Sequence, residues 1–383
     1  MQGLSESVPH AEFSAMKRPR ETPLADRLPA TVPFVGPEAI ERRLGHRFRA
    51  RIGANENVFG PSPKAINAIQ DQAGDAWMYG DPESFELREA LAGHLRIARD
   101  EVVVGEGVDG LLGYAVRLFV QEGDRVVTSD GAYPTFSYHV VGFGGELVKV
   151  PYRDDREDMA ALLDAARASG AKMIYLANPD NPMGTWQDPG GIEGMIADLP
   201  ENCVLVLDEA YLEFAPDSIV PKVPIDDPRV IRMRTFSKAH GMAGMRVGYA
   251  FGERSVIQSF EKIRNHFGMN RISQIAAQIA LSDHDWLNYV RNEVGKARER
   301  IAETAGASGL ISIPSVANFV AVDCGRDGAF ARRVLEELEV RDVFVRMPGV
   351  APANRCIRIT AGRPADLDLF AQVLPEALAA AKR

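Results

Sequence analysis

Cysteine is scarce in this chain: three in 383 residues, at Cys203, Cys324 and Cys356. An odd number, widely spaced, excludes a disulfide framework and a thiolate metal cage. They read as reduced, mostly buried thiols of a cytoplasmic protein. Histidine is thin as well, seven in all. None falls in an HExxH or comparable spacing, so no catalytic metal is expected. No apolar run approaches the roughly 20 residues that cross a bilayer, which speaks against a membrane partner. The first residues lack the charged-then-apolar pattern of a signal peptide. A basic excess is missing too: 44 Lys and Arg stand against 53 Asp and Glu, for a net charge of -9. That balance argues against nucleic acid as a partner. What remains is the composition of an ordinary globular chain, long enough for two domains, one large and one small.

Residues 1 to about 30 are polar and proline-bearing, without apolar periodicity. They read as a mobile arm, or as one that orders against a partner subunit. From Phe85 onward, helix and strand patterns alternate. Helices are expected over 85–95, 109–120 and about 135–141, strands over 101–105, 125–130 and 146–150. Further short apolar runs at 172–177, 204–208 and 230–235 are bounded by turn or polar residues. The alternation predicts an α/β fold, a mostly parallel sheet covered by helices on both faces. After residue 285 the style changes. A long charged helix over 286–305 leads into runs at 311–313, 319–322, 343–345 and 356–360, with a helix over 329–338 among them. A smaller α+β domain over 286–383 is therefore expected. Residues 31–57 return to join it, and 58–285 form the large domain. In open parallel sheets ligands sit beyond the carboxyl ends of the strands, and the motifs below fall there.

The most informative segment is 234–248. Ser237 and Lys238 end a β-branched and apolar stretch, and three glycines and Arg246 follow with no acidic residue in the run. A lone lysine is usually an exposed side chain. A lysine and an arginine without carboxylates fit a bound anion and a reactive aldehyde better. A lysine amine condenses with pyridoxal phosphate (PLP), whose phosphate a serine hydroxyl and an arginine can hold. Upstream, Gly105 to Gly110 matches G-x-G-x-x-G between a strand and a helix, with Asp130 twenty positions on. This is either a dinucleotide fingerprint, hence a nicotinamide-dependent oxidoreductase, or a phosphate site at a helix N-terminus around Gly107, Val108 and Asp109. The dinucleotide reading leaves every later motif unexplained.

Asn178 to Gly184 follows a strand, and its Pro and Gly dictate a tight turn. It is either a plain loop or the means of placing the Asn181 amide at a strand's carboxyl end. Asp208 closes an apolar strand, which is costly unless a cation or strong donors meet it. A pyridinium nitrogen is such a cation; backbone groups are the alternative. Tyr211 can then reach the neighbouring ring oxygen. Phe136 can stack on a flat cofactor, although an aromatic at a helix start is more often core. Arg358, between Ile357 and Ile359, calls for a buried anion: a substrate carboxylate or phosphate, or a structural ion pair. Arg346 is a second, weaker candidate.

With these residues assembled, the chain resembles the class I/II, fold-type-I PLP aminotransferases over about residues 30–380. Within them it is most similar to the histidinol-phosphate aminotransferase group. Segments 178–184, 208–211, 237–248 and 354–360 carry the resemblance, and 53–57, with Asn55, looks like the family's N-terminal substrate-side segment. The resemblance implies a seven-stranded-type sheet in a large PLP domain and a smaller C-terminal domain. It implies that Lys238 condenses with the cofactor's aldehyde and later moves a proton. Asp208 would pair with the pyridine nitrogen, Tyr211 and Asn181 would contact the ring oxygen, and Phe136 would stack. Gly107, Val108, Asp109, Ser237 and Arg246 would hold the phosphate. Tyr79 resembles the tyrosine that reaches the neighbouring subunit's cofactor phosphate, so a homodimer with active sites at the interface is expected.

Arg358 resembles the arginine that binds the substrate's anionic group. The implied reaction is ping-pong amino transfer from an amino donor to a 2-oxo acid such as 2-oxoglutarate. A PLP-dependent decarboxylase on the same fold shares these residues and stays open. Phe136 and Phe267 stand where the group usually carries tyrosine, and Phe267 has no hydroxyl for a substrate phosphate. Met347 to Val350 adds apolar surface, leaving Arg271 or Arg355 to supply charge. These departures favour an aromatic or apolar amino acid over histidinol phosphate as donor.

Overall fold

The computed structural model describes residues 19–30 and 35–383. The chain divides into two compact units, residues 1–31 and 32–383. In the first, residues 1–18 of the expected arm lie outside the described residues. Residues 19–30 carry a short helix, Pro23–Asp26, whose N-cap Thr22 accepts from the Ala25 N–H.

The second unit contains twelve strands among the described residues: β1 Ala50–Arg51, β2 Val102–Gly105, β3 Arg125–Ser129, β4 Glu146–Val150, β5 Met173–Ala177, β6 Val204–Asp208, β7 Val230–Thr235, β8 Gly248–Gly252, β9 Ile311–Ser312, β10 Phe319–Asp323, β11 Val343–Phe344 and β12 Cys356–Thr360. Seven of them form one sheet in the order β2-β8-β7-β6-β5-β3-β4. Strands β7, β6, β5, β3 and β4 run parallel, and β8 is antiparallel to both its neighbours. This is the mostly parallel seven-stranded sheet expected. Its central strands are apolar on both faces because helices cover both. On β5, Met173, Tyr175 and Ala177 pack with Leu111, Leu112 and Phe136. Ile174 and Leu176 point the other way, toward Leu162 and Ile192. Burying each such Leu or Ile stabilises the sandwich by about 1.5–3 kcal/mol.

The covering helices start where a polar side chain can satisfy a free N–H. Asp158 and Asp188 cap Met159–Ser169 and Pro189–Ala197, and Asn270 caps Arg271–Ser282. The helix predicted over 109–120 begins earlier, as Gly107–Phe119. Glu209, fully buried, accepts from Arg232 and Arg234 of β7 and ties the end of β6 to that strand.

The helix His284–Ala307 opens the remaining part, with a three-stranded antiparallel sheet in the order β12-β10-β9 and the helices Gly328–Val340 and Pro364–Ala381. In this part β1 pairs in parallel with β11, Ala50 opposite Val343. Its core joins Ala50 and Ile52 to Ile301, Phe319, Val334 and Phe370, and takes in Tyr211 and Ala239 from the end of the large sheet.

Candidate active site

A cavity of about 530 Å³ opens beyond the carboxyl ends of the parallel strands, where such sheets place their ligands. Asp208, the last residue of β6, forms part of its wall and is almost fully buried. Its Oδ2 accepts from the Tyr175 hydroxyl at 2.7 Å and its Oδ1 from the Ala210 N–H at 2.9 Å. Burial pushes the carboxyl up, and those two donors act against it.

Lys238 follows β7 through a turn in which Thr235 Oγ1 accepts from the Ser237 N–H. Its Nζ donates to the Asn55 carbonyl at 3.1 Å and lies 5.5 Å from the centre of the Tyr211 ring. Burial, and then the Arg358 charge, lower its ammonium to about 8. The Tyr211 hydroxyl accepts from Asn55 Nδ2 at 3.0 Å, and burial pushes it up to about 12.

At one side the helix Gly107–Phe119 points its N-terminus at the cavity, with Val108 and Asp109 on the wall and no side-chain cap on its first N–H groups. Arg246 reaches across, donating to Ser237 Oγ at 3.3 Å and to the Glu106 carbonyl at 3.4 Å. It forms no ion pair among the described residues. Gly107 has φ +80°, and a Cβ there would collide with the Arg246 guanidinium. Uncapped N–H groups, a hydroxyl and an arginine free of carboxylates make a phosphate-shaped corner.

On the opposite side Arg358 comes from β12. It donates to Asn181 Oδ1 at 2.6 Å, and its Nε has no partner. The guanidinium lies 5.2 Å from the Phe319 ring centre, and burial lowers it to about 10. Backbone hydrogen bonds join Arg358 to Arg346, which also faces the cavity and also has an unpartnered buried Nε. Neither arginine meets a carboxylate in an ion pair among the described residues.

A family model for class I and II aminotransferases matches residues 51–374. The chain belongs to that family. Histidinol-phosphate aminotransferase 1 of Nitrosococcus oceani is 35% identical over 346 residues, 89% of this chain and 92% of its own length. The histidinol-phosphate aminotransferase of Moorella thermoacetica is 31% identical and covers 89% of each chain. Among solved structures, histidinol-phosphate aminotransferase from Sinorhizobium meliloti in complex with pyridoxal 5'-phosphate has a TM-score of 0.92 at 51% identity, over 96% of this chain and 99% of that one. The chain is thus an aminotransferase, and neither the decarboxylase nor the oxidoreductase reading is favoured. The Gly105–Gly110 run fails structurally as a dinucleotide fingerprint. Strand β2 sits at the sheet edge and, among the described residues, pairs only with antiparallel β8, so the strand that follows the helix, β3, is not its neighbour as a fingerprint's βαβ unit requires.

In this aminotransferase, Asn55, Val108, Asp109, Asn181, Asp208, Tyr211, Ser237, Lys238, Arg246, Arg346 and Arg358 share one cavity. Gly107 shapes its corner. Phe136 is a correction. It lies in the first turn of the helix Pro134–Gly142, fully buried and stacked on Tyr175, while Tyr133 at the N-cap takes the wall. Tyr79 and Phe267 are exposed and pack against each other with tilted rings, centroids 5.0 Å apart, away from this chain's own cavity. Arg355 cannot lend its charge to a substrate there, because it is committed to Asp155 and Asp323. Arg271 does not line the cavity either. Tyr175 and Tyr133 escape sequence reading. A tyrosine within an apolar strand looks like core, and only strand alternation, which puts residues 175 and 177 on one face, hints otherwise.

Proposed function

We propose that this aminotransferase uses PLP in the cavity described, takes its amino group from histidinol phosphate and passes it to a 2-oxo acid such as 2-oxoglutarate. The observation that carries the choice of donor is the pair Arg358 and Arg346, two half-buried cations on one wall, each with a buried unpartnered Nε and no carboxylate partner among the described residues. The amino donor's relatives-level name fits that wall, since a phosphate answers two guanidinium groups. Phe267, the ring that favoured an aromatic donor, stands outside this chain's own cavity and packs against Tyr79. Apolar Met347, Pro348 and Val350 beside Tyr133 still suit an aromatic amino acid as a second donor.

The residues present fit PLP: a phosphate-shaped corner, a buried carboxylate for a ring nitrogen, and a lysine amine between them. When bound, PLP supplies an aldehyde that condenses with amines and a ring that withdraws electrons from the amine-bearing carbon. Asp208 offers its carboxylate to the ring nitrogen. Asn181 and Tyr211 stand beside Asp208 to meet the ring oxygen. Gly107, Val108, Asp109, Ser237 and Arg246 hold the phosphate. Lys238 Nζ, with its ammonium near 8, keeps some neutral amine at neutral pH and so can take a proton from the donor's carbon and return it. Arg358 and Arg346 orient the substrate's anionic group, and Asn55 braces Tyr211.

We read the site as lying between a large domain, 58–285, and a small one, 286–383, with the segment expected over 31–57, described from residue 35 onward, belonging with the latter. Buried, unpaired Cys203, Cys324 and Cys356 suit the reducing cytoplasm. The test is a panel of donors assayed with 2-oxoglutarate. Histidinol phosphate should give the highest kcat/KM, and Arg346→Gln should lower that value roughly tenfold or more while sparing phenylalanine. A wild type that prefers phenylalanine overturns the choice of donor.

A further inference from the structure

Asp208 is shaped by a residue outside the family motifs that reveal the site. Strand β5 lies beside β6, with Tyr175 opposite Val206 and Ala177 opposite Asp208. Side chains two apart on a strand share a face, so Tyr175 and Asp208 are diagonal neighbours on one side of the sheet. The phenol donates to Asp208 Oδ2 at 2.7 Å, and the Ala210 N–H serves Oδ1. Each carboxylate oxygen therefore has one fixed donor. The Tyr175 ring cannot swing away. It is 1% exposed and lies against Phe136, centroids 4.4 Å apart and planes 18° apart. Its edge nevertheless borders the cavity. The hydroxyl is thus committed to the buried carboxylate that closes β6 in the cavity wall.

We propose that Tyr175 is a positioning residue that aims the Asp208 carboxylate at the ring nitrogen of bound PLP; this rests on the function proposed above. The physical reason is directional. Without the phenol, one oxygen of a buried carboxylate faces no donor, and burial already favours its neutral form. A neutral, freely turning carboxyl holds a ring cation poorly. Phe136 belongs to the same device, since its stacking fixes the phenol's direction rather than the cofactor's.

The test compares two ligands on one protein: PLP and an analogue in which carbon replaces the ring nitrogen. Equilibrium dissociation constants are measured for the cofactor-free full chain as wild type, Tyr175→Phe, Asp208→Asn and the double variant. Wild type should prefer PLP. Tyr175→Phe should lose about tenfold of that preference while binding the analogue as wild type does. In the Asp208→Asn background, Tyr175→Phe should change nothing further. Because each comparison is a ratio within one protein, a general loss of stability cancels. The melting temperature of cofactor-free Tyr175→Phe checks that it folds. If that variant does not fold, Tyr175→Trp, which cannot place a donor at the same point, is carried through the same ratio. An unchanged preference, or an equal loss for both ligands, overturns the proposal and leaves Tyr175 a packing residue. A wild type that binds neither ligand overturns the proposed function itself.

Discussion

Lys238 and Arg358 both line the cavity, and burial disfavours their charged forms: the lysine falls to about 8 and the arginine to about 10. The consequence for stability has a definite sign. The folded chain binds the Lys238 proton less tightly than the unfolded chain does, where lysine titrates at about 10.4. Below about pH 8 both states are charged, and the full cost of burying the ammonium is borne. As pH rises from there through the unfolded value, that cost disappears. Cofactor-free Lys238→Met should therefore be more stable than wild type at pH 7, by on the order of 2 kcal/mol, with the gap closing toward pH 10. Urea unfolding at the two pH values measures it, and a gap independent of pH contradicts it. At this scale the sequence is readable where chemistry breaks a pattern. A charge at the end of an apolar run, as at Asp208, or between two isoleucines, as at Arg358, stands out. Tyr175 breaks no pattern. Asn55 and Tyr211 meet across 156 positions, and nothing local in the sequence announces that bond.

The elements explain why these residues converge. Parallel strands buried on both faces are short apolar runs between turn residues, so β4, β6 and β7 fall where such runs predict them, as does the helix Phe85–Leu95. Strand β8 does not show itself. Its glycines, Gly248 and Gly252, leave only three apolar residues between them. The structure supplies the reason for Gly248: a Cβ there would lie 2.6 Å from the Val108 nitrogen. The phosphate corner depends in the same way on the start of the helix Gly107–Phe119. Gly107→Ala places a side chain at φ +80° and against Arg246, a strain of about 1–2 kcal/mol before the displaced guanidinium is considered. PLP affinity of this variant should fall at least roughly tenfold, with a smaller effect on pyridoxal, which has no phosphate. Equal losses for both ligands would show that the corner does not serve the phosphate.

The molecule as a whole leaves a set of aromatics uncovered. Trp77, Tyr79 and Phe267 are exposed, with Tyr79 and Phe267 in contact. Apolar groups of this size on a surface are the mark of an interface. The resemblance in the sequence implies a homodimer in which Tyr79 of one subunit serves the other's cavity. Mixing two variants tests this directly. Lys238→Ala and Tyr79→Ala should each be strongly impaired. After joint unfolding and refolding, mixed dimers contain one cavity with both Lys238 and Tyr79 intact, so activity should reappear, up to about a quarter of wild type for random pairing. No recovery on mixing, with both chains dimeric, would place Tyr79 in its own subunit's business or in none.

The central claim is that Lys238 joins covalently to PLP in this cavity. Purified protein is mixed with PLP, reduced with borohydride, digested and weighed by mass spectrometry. The account predicts that the peptide carrying Lys238 alone gains the mass of reduced PLP, and that histidinol phosphate added before reduction prevents the label. A label spread over surface lysines, or none in wild type, would contradict it.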